Sequence, residues 1–597
     1  MAETTTSSGG ARPALARLGG LIGTWRPAHY ALLLLIHVQL LASGGGAGEW
    51  DWYEFIYPWA DALRDTLLRY HQFPWWNPFS MSGQPFFAEP QTAVLMPDTL
   101  FIVLFGATVG YKLIILFYTA IGYEGSRFLC RRLFGDSRFV EGASVIPALI
   151  PALALHLGVG HAVLLSFWLF PWMLGLALSW RDSPERALAF GVVVGCHFLT
   201  YIHYAIIIDF SIAGLIVAVQ LARAPRSRDT WMKAALVVAA ALGVGLTRIA
   251  LTAAFVAGFP RTETMHYPIV ASVGEVIHTL LDPLQDNGRR GTVAGLGWWE
   301  LGSYVGLPAL LLAFEGFRRG ERRQRLILLG ALVCLLLAWN NRDWFLPGYW
   351  MHVLPPWKTM VIITRWRLYA CFLLLLGAVQ GLAAIRRGGR PRLAAALAAL
   401  VVFDLGFGVF YAYRATFERT PPPFRRAPDP PQTIFDRPPD VWRDYRANLI
   451  SMGSEFPLLG WRDHYPKREH LGTPGYAGDY TGTRPVTVES WSPNRIVLRA
   501  SPGDTLTINL NPSSYWLLDG ERLFPRYRAM EPQLPFHLVV PASGRVELSA
   551  RPPHLALLLA MQGLFAALAL LLYRRFRLAR GGLLNYPRQS TAGSAHE

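Results

Sequence analysis

The chain has 597 residues, 52% of them hydrophobic and only 16% charged, with a mean hydropathy of +0.27. Soluble proteins carry about a quarter charged residues, so an ordinary cytosolic enzyme is excluded, and recurrent apolar runs of bilayer-crossing length make this a polytopic membrane protein. The 56 Lys and Arg against 40 Asp and Glu give a net charge of +16, but the arginines cluster in short stretches between apolar runs, which points to a lipid bilayer and away from nucleic acid.

In chain order, residues 1–26 are rich in Ser, Thr, Gly and Ala and lack an apolar core with a small-residue cleavage site, so they read as a cytoplasmic tail. The first span covers about Ala28 to Ala42 and the next clear one about Val109 to Phe128. Between them, the short apolar piece from Val94 to Phe105 suits a half-buried or re-entrant helix better than a crossing. Further spans centre near residues 148, 170, 193, 213, 244, 310, 332, 375, 402 and 563, about twelve in all. Cys130, Cys196, Cys334 and Cys371 lie in or beside these runs without CxxC spacing, so neither a disulfide framework nor a zinc site is expected.

Charge supplies a second, separate reading of the topology. Arg131, Arg132 and Arg138 follow span two; Arg181 and Arg186, then Arg223, Arg226 and Arg228, follow spans four and six. Arg318, Arg319, Arg322, Arg323 and Arg325 come next, then Arg386, Arg387, Arg390 and Arg392, and finally Arg574, Arg575 and Arg577 after the last span. Every second connection is arginine-rich, which places those connections and both termini in the cytoplasm. The alternate connections face outside, and three are long: residues 44–91, 258–303 and 340–367. The membrane domain therefore spans residues 27–412. A Pro-rich linker at Thr420–Pro439 leads into strand-like alternation at Val486–Trp491, Arg495–Ala500, Thr505–Leu510, His537–Val540 and Arg545–Ser549. With a hairpin turn at Asp519-Gly520, residues 413–552 read as an extracytoplasmic linker and small β-sandwich, followed by a last span at 553–573 and a cytoplasmic tail at 574–597.

The first outer segment carries the densest chemistry. Glu49, Asp51 and Glu54 follow the first span directly, among Trp50, Trp52, Trp59, Trp75 and Trp76, with Asn77, Gln84, Glu89 and Gln91 further on. Aromatic faces pack on sugar C–H bonds while acids and amides take hydroxyls, so this composition suits a carbohydrate site; an interfacial aromatic belt is the competing reading. Glu300 and Tyr304, four apart, are expected on one helix face towards the same cavity. His161 and His203 fall at the outer ends of helical hairpins, where they could take phosphate, a sugar hydroxyl or a metal. His266, Asp282 and Asp286 read as loop residues. No H-x-x-x-H or D-x-D pattern occurs, so a divalent cation, Mg or Mn, stays an open question. P-loop, dinucleotide-binding and G-x-S-x-G patterns are missing as well.

These residues carry a resemblance. Asp51 and Pro58, followed by FPWWNPFSMSGQPFFAEPQTAVLMP, resemble the YfhO-like membrane proteins, whose corresponding stretch is roughly LPLWNP…GxPLxAxxQxAxxYP. GVGHAVLLSFWLFPW (Gly158–Trp172) and WELGSYVGLPALLLA (Trp299–Ala313) are similar to further family segments. SSYWLLDGERL and LVVPASGRVEL are similar to its C-terminal β domain, with a shortened Trp-to-Asp-Gly spacing. The resemblance implies a GT-C-like fold and a glycosyltransferase that moves a sugar from a polyprenyl-phosphate donor to an extracytoplasmic glycan, lipid or cell-envelope polymer. It implies a catalytic acid in the first outer loop: Asp51 as general base, with Glu54 one turn on as the alternative. Arg365 and Arg367, with His161 and His203, are the expected donor-phosphate ligands, since Arg binds phosphate in bidentate fashion; Lys358 and Arg248 are weaker alternatives. Trp52, Trp75, Asn77, Gln84, Glu89, Gln91, Glu300 and Tyr304 are the expected substrate contacts. The competing function is a transporter or flippase for a lipid-linked or amphipathic solute with the β domain as outer receptor, although no inverted repeat is visible.

Overall fold

The computed structural model describes residues 25–79, 83–202, 204–258, 271–287, 297–339, 342–351, 353–354, 357, 360, 362–414, 416–423, 432–434, 449–451, 480–508, 510, 513–524 and 536–584. His203, His266 and Lys358 lie outside the described residues, as do both expected tails for the most part and much of the Pro-rich linker.

The chain is mostly helical. Helix α1 (Arg26–Ile36) starts with proline in its first turn, breaks at His37 and resumes as α2 (Val38–Ala42). A π-helical turn, Trp52–Ile56, runs directly into α3 (Tyr57–Leu68). A minimal hairpin pairs β1 (Trp76–Asn77) with β2 (Gln84–Pro85). Helix α4 (Pro97–Phe134) is folded sharply at Gly106, whose φ of 75° and ψ of 178° are open to glycine and to few other residues. The kink separates the short piece that the sequence marks as a half-crossing from a long helix behind it.

Among the described residues, six helical stretches are long and apolar enough to cross a membrane: Pro97–Phe134, Arg138–Gly158, Arg228–Ala257, Ile363–Arg387, Pro391–Ala412 and Leu555–Leu578. Shorter apolar helices occupy Ala162–Ala177, Ile206–Ala222 and Gln324–Leu337. Several spans expected from hydropathy are thus broken. Between residues 138 and 177, Pro147, Pro151 and Pro171 each sit at the start of a new helical segment, because proline fits a first turn but removes a donor from a helix interior. Helix α5 (Pro151–Gly158) therefore ends in a turn at Val159–His161, which becomes a wall of the site. Helix α6 (Trp366–Arg387) is almost wholly buried and packs against Leu307–Arg319 and Arg322–Leu337. The last helix exposes Leu557, Leu559, Leu564, Leu570 and Leu571, an apolar surface suited to lipid.

Beyond residue 480 the strands form two antiparallel sheets. The larger pairs β4 (Arg495–Arg499) between β3 (Thr487–Ser492) and β7 (Arg545–Ala550), with β5 (Trp516–Leu518) and β6 (Glu521–Arg522) continuing it. Val546, Leu548 and Ala550 of β7 alternate inward, the period of two that a half-buried strand requires, whereas Ile496, Val497 and Leu498 of β4 are all buried. Strands β5 and β6, which hydropathy does not flag, flank the expected turn, where Asp519 and Gly520 take positive φ of 47° and 92°. Those values match a two-residue hairpin whose twist fits its strands.

The larger sheet docks on residues 72–76 through a reciprocal set of bonds. The Asn494 side chain accepts from the Trp76 N–H at 3.1 Å and donates to the Phe73 carbonyl at 2.6 Å. Gln72 accepts from the Asn494 N–H at 3.1 Å and donates to Ser492 Oγ at 2.9 Å. The Trp76 ring meets Trp516 edge-on with centroids 4.9 Å apart.

Candidate active site

The site begins where two loops touch. The Asp51 N–H donates to the Val159 carbonyl at 3.2 Å, and the Trp52 indole N–H donates to the Leu157 carbonyl at 3.0 Å. Trp52 is fully buried against Tyr57 and Tyr111, with ring centroids 5.1 and 5.2 Å away. It therefore anchors the segment after α2 to the turn after α5 and is not presented to a substrate. Gly160 makes the approach feasible. Its φ is 95°, and a Cβ there would lie 2.5 Å from the Trp52 nitrogen and 2.8 Å from Asp51 Cβ. Gly160→Ala is expected to destabilise the chain by more than about 1 kcal/mol, from positive φ and overlap together, and to displace Asp51; an unchanged melting temperature in detergent would refute the tight contact.

Around this joint the structure gathers ionisable groups from distant segments. His161 Nε2 faces Asp51 Oδ2 at 3.6 Å, while its Nδ1 lies 3.8 Å from Glu300 Oε1 and 2.8 Å from His156 Nδ1. Glu300 also accepts from Arg365 Nη2 at 3.0 Å and from Thr364 Oγ1 at 3.1 Å. The two carboxylates are pulled in opposite directions. Burial pushes Asp51 up to about 8, helped by the neighbouring charges of Glu54 and Glu300 and opposed by Arg365. Burial acts on Glu300 in the same sense, but Arg365 and the two histidines outweigh it and hold Glu300 down to about 2. His161 is driven well below its ordinary value, first by burial and then by Arg365, so its ring is neutral. Near neutral pH the centre thus holds a protonated acid, an ionised carboxylate on an arginine, and a neutral imidazole between them.

A rim completes it. Trp50, directly before Asp51, is 55% exposed and holds a φ of 57°, a left-handed backbone that bulky residues seldom adopt. Its ring lies 5.4 Å from that of Trp299, directly before Glu300. Each carboxylate is therefore preceded in sequence by one member of an indole pair at the mouth of the site.

The other expected residues fall elsewhere or serve differently. Arg367 is buried and donates to the Leu301 carbonyl at 2.8 Å and to Thr279 Oγ1 at 3.4 Å. Trp75 packs tilted against Phe73 and edge-on against Phe87. Asn77 and Gln84 face each other in the β1–β2 hairpin beneath the β sheet. Glu89 accepts from the Gln91 N–H, and its own carbonyl accepts from the buried Arg248. Gln91 lines a separate cleft with Trp59, Asp98 and Tyr201. The shared helix face for Glu300 and Tyr304 does not exist: the helix Trp298–Leu301 stops before residues 302–306, which run non-helical, and Tyr304 donates to Asp404 at 2.5 Å instead. Glu54 is half-buried one turn beyond Asp51 and acts on it electrostatically. Asp282 caps the helix Val273–Leu281 and accepts from the Leu284 N–H.

Two members of the centre, His156 and Thr364, escape the sequence reading. His156 had a signal, since an ionisable residue inside an apolar run marks a site more often than not. Thr364 had none, because a threonine beside Arg365 is unremarkable until Glu300 folds onto it.

No known protein family matches the sequence, and no curated protein matches it. Among solved structures, the chain is similar to arabinofuranosyltransferase AftD from Mycobacteria, at 15% identity and a TM-score of 0.40 over 66% of this chain and 27% of that one. It is also similar to ArnT from Cupriavidus metallidurans, solved with undecaprenyl phosphate bound, at 14% identity and a TM-score of 0.40 over 72% of this chain and 85% of that one. The chain thus spans about a quarter of AftD's length, and its chemistry has to be read from the site itself.

Proposed function

We propose that this membrane protein is a glycosyltransferase of the GT-C class, related to the YfhO-like proteins that its motifs resemble, which transfers a sugar from a polyprenyl phosphate to an extracytoplasmic acceptor. The observation that carries the reading is the pair of carboxylates, Asp51 and Glu300, driven to opposite protonation states around one neutral histidine. A carboxyl raised towards the working pH suits a general base, while its ionised partner holds an arginine, and perturbed groups converge at functional sites. The indole pair Trp50 and Trp299 offers flat apolar faces of the kind that sugar rings take.

In the reaction, ionised Asp51 takes the proton from the acceptor hydroxyl as that oxygen attacks the anomeric carbon. The bond from the anomeric carbon to the phosphate oxygen breaks, and its electron pair leaves with the polyprenyl phosphate. Arg365, held by Glu300, supplies positive charge where that anion develops. His161 orients Asp51 through Nε2. The donor class rests on the sequence resemblance, and outward-facing chemistry rests on the arginine pattern of the connections.

The test is a panel of polyprenyl-phosphate sugars offered to the purified chain in nanodiscs, with thermal stabilisation and release of polyprenyl phosphate as readouts. One donor is expected to stabilise the protein and be slowly hydrolysed or transferred. Folded protein that binds none of the panel would overturn the reading and favour a transporter.

A further inference from the structure

The approach of His156, His161 and Glu300 asks for more than a hydrogen-bond chain. All three offer ligand atoms within 4.8 Å of one another, the two Nδ1 atoms are 2.8 Å apart, and His161 Nδ1 is 3.8 Å from Glu300 Oε1. We infer that these three side chains hold one divalent transition-metal ion of the zinc class, leaving a fourth position for a water or substrate oxygen. Bonds of about 2.0–2.1 Å in a tetrahedral site put ligand atoms about 3.3 Å apart. The 2.8 and 3.8 Å separations lie on either side of that value and the third pair lies within 4.8 Å, so an ion is seated by the three side chains shifting towards a common centre.

The surroundings argue independently for ligation. A metal-bound histidine donates its second ring N–H to a carboxylate or carbonyl, and a ligating carboxylate is itself hydrogen-bonded. The glutamate's hydrogen bonds are present, and the second nitrogen of one histidine faces a carboxylate just beyond hydrogen-bond distance. With Nδ1 turned to the pocket, His161 presents Nε2 to Asp51 Oδ2 at 3.6 Å. Glu300 Oε2 accepts from Thr364 Oγ1, and Oε1 from Arg365. Two of the three ligands are well buried, His156 and Glu300 being 2% and 3% exposed, while His161 is partly exposed towards Asp51.

Ligand chemistry selects the class of ion. Two imidazoles and one carboxylate suit zinc and its first-row neighbours. Magnesium and calcium take oxygen ligands, so the magnesium considered from the sequence does not fit this set. From the sequence no zinc site is expected, because the cysteines carry no such spacing, although a metal stays open at His161. The ion would sit beside the carboxylate proposed as base and polarise an oxygen in its open position. The inference does not depend on the transferase reading, since metal binding is measured directly and a chain that transfers nothing would still bind the ion.

The experiment uses tag-free full-length protein in nanodiscs, stripped with chelator and titrated with Zn²⁺ alone. About one zinc per chain is expected to be retained through dialysis. Replacing it with Co²⁺ should give a visible absorption band of four-coordinate intensity. His156→Gln and His161→Gln should each lose the ion while Thr364→Val weakens binding by about 10–100-fold. X-ray absorption at the zinc edge of the wild-type protein should count two imidazole ligands, a readout that survives even if the histidine variants fail to fold. A wild-type chain that retains no zinc, zinc with fewer than two imidazoles, or folded histidine variants that bind as tightly as wild type would each overturn the inference.

Discussion

Asp51→Asn is expected to lower the transfer rate by about 10²–10⁴-fold, the usual contribution of a positioned general base, while donor binding persists. The pH dependence gives this substitution a second signature. Only ionised Asp51 can accept the acceptor's proton, and burial among Glu54 and Glu300 pushes its resting value up to about 8. The wild-type rate constant at low substrate should therefore rise with pH and level off above about 8, and the residual activity of the variant should lack that limb. Stability moves the other way. A carboxyl raised from its usual value of 3.8 to about 8 favours the folded state fully at low pH and loses that contribution as pH climbs to about 8. Asparagine cannot ionise, so the variant should gain on wild type by an amount that grows between about pH 4 and 8, reaching on the order of 5 kcal/mol. Parallel melting curves across that range check it. Normal transfer by the variant would remove Asp51 from the mechanism, and a stability difference that ignores pH would mean that the carboxyl is not desolvated.

Trp76→Ala is expected to release the β sheets from residues 72–79. Trp76 is 1% exposed and packs on Trp516, and emptying such a site costs about 3–5 kcal/mol. Asn494→Ala should act in the same direction, because it removes the acceptor for the Trp76 N–H and the donor to Phe73 together. Hydrogen exchange is the measurement: protection around residues 72–79 and 491–498 should fall. Protection at the Asp51 amide should persist, since it donates to the Val159 carbonyl and the neighbouring Trp52 indole is tied to the Leu157 carbonyl. Unchanged exchange at residues 72–79 would show that the seam does not hold the sheets in place.

That contrast explains why the first outer segment was only half legible. Its density of tryptophans, acids and amides draws attention to this segment, and the structure places Asp51 beside His161. Yet the same composition serves two purposes. Asp51 and Trp50 belong to the charged centre, whereas Trp76, Asn77 and Gln84 are buried in a docking seam. A buried amide that bonds a backbone and one that bonds a sugar look alike in sequence, because both need only donors and acceptors in an aromatic setting. Glu300 and Tyr304 show the opposite error. Their spacing of four implies a shared face only inside a helix, and this helix ends at Leu301.

Local physics accounts for what the sequence determined alone. Apolar run length and arginine placement mark out a membrane protein, alternation marks the later strands, and Asp519-Gly520 specifies its hairpin, because each depends on a residue and its near neighbours. The breaks near Pro147, Pro151 and Pro171 belong to the same class, since proline removes a donor wherever it sits. The active centre does not. Asp51, His161, Glu300 and Arg365 come from four separate segments, and their opposed protonation arises from burial and from charges that meet only when those segments pack. Desolvation and Coulomb interaction depend on distance in space, so only the tertiary structure could decide which acids share a site and which histidine joins them.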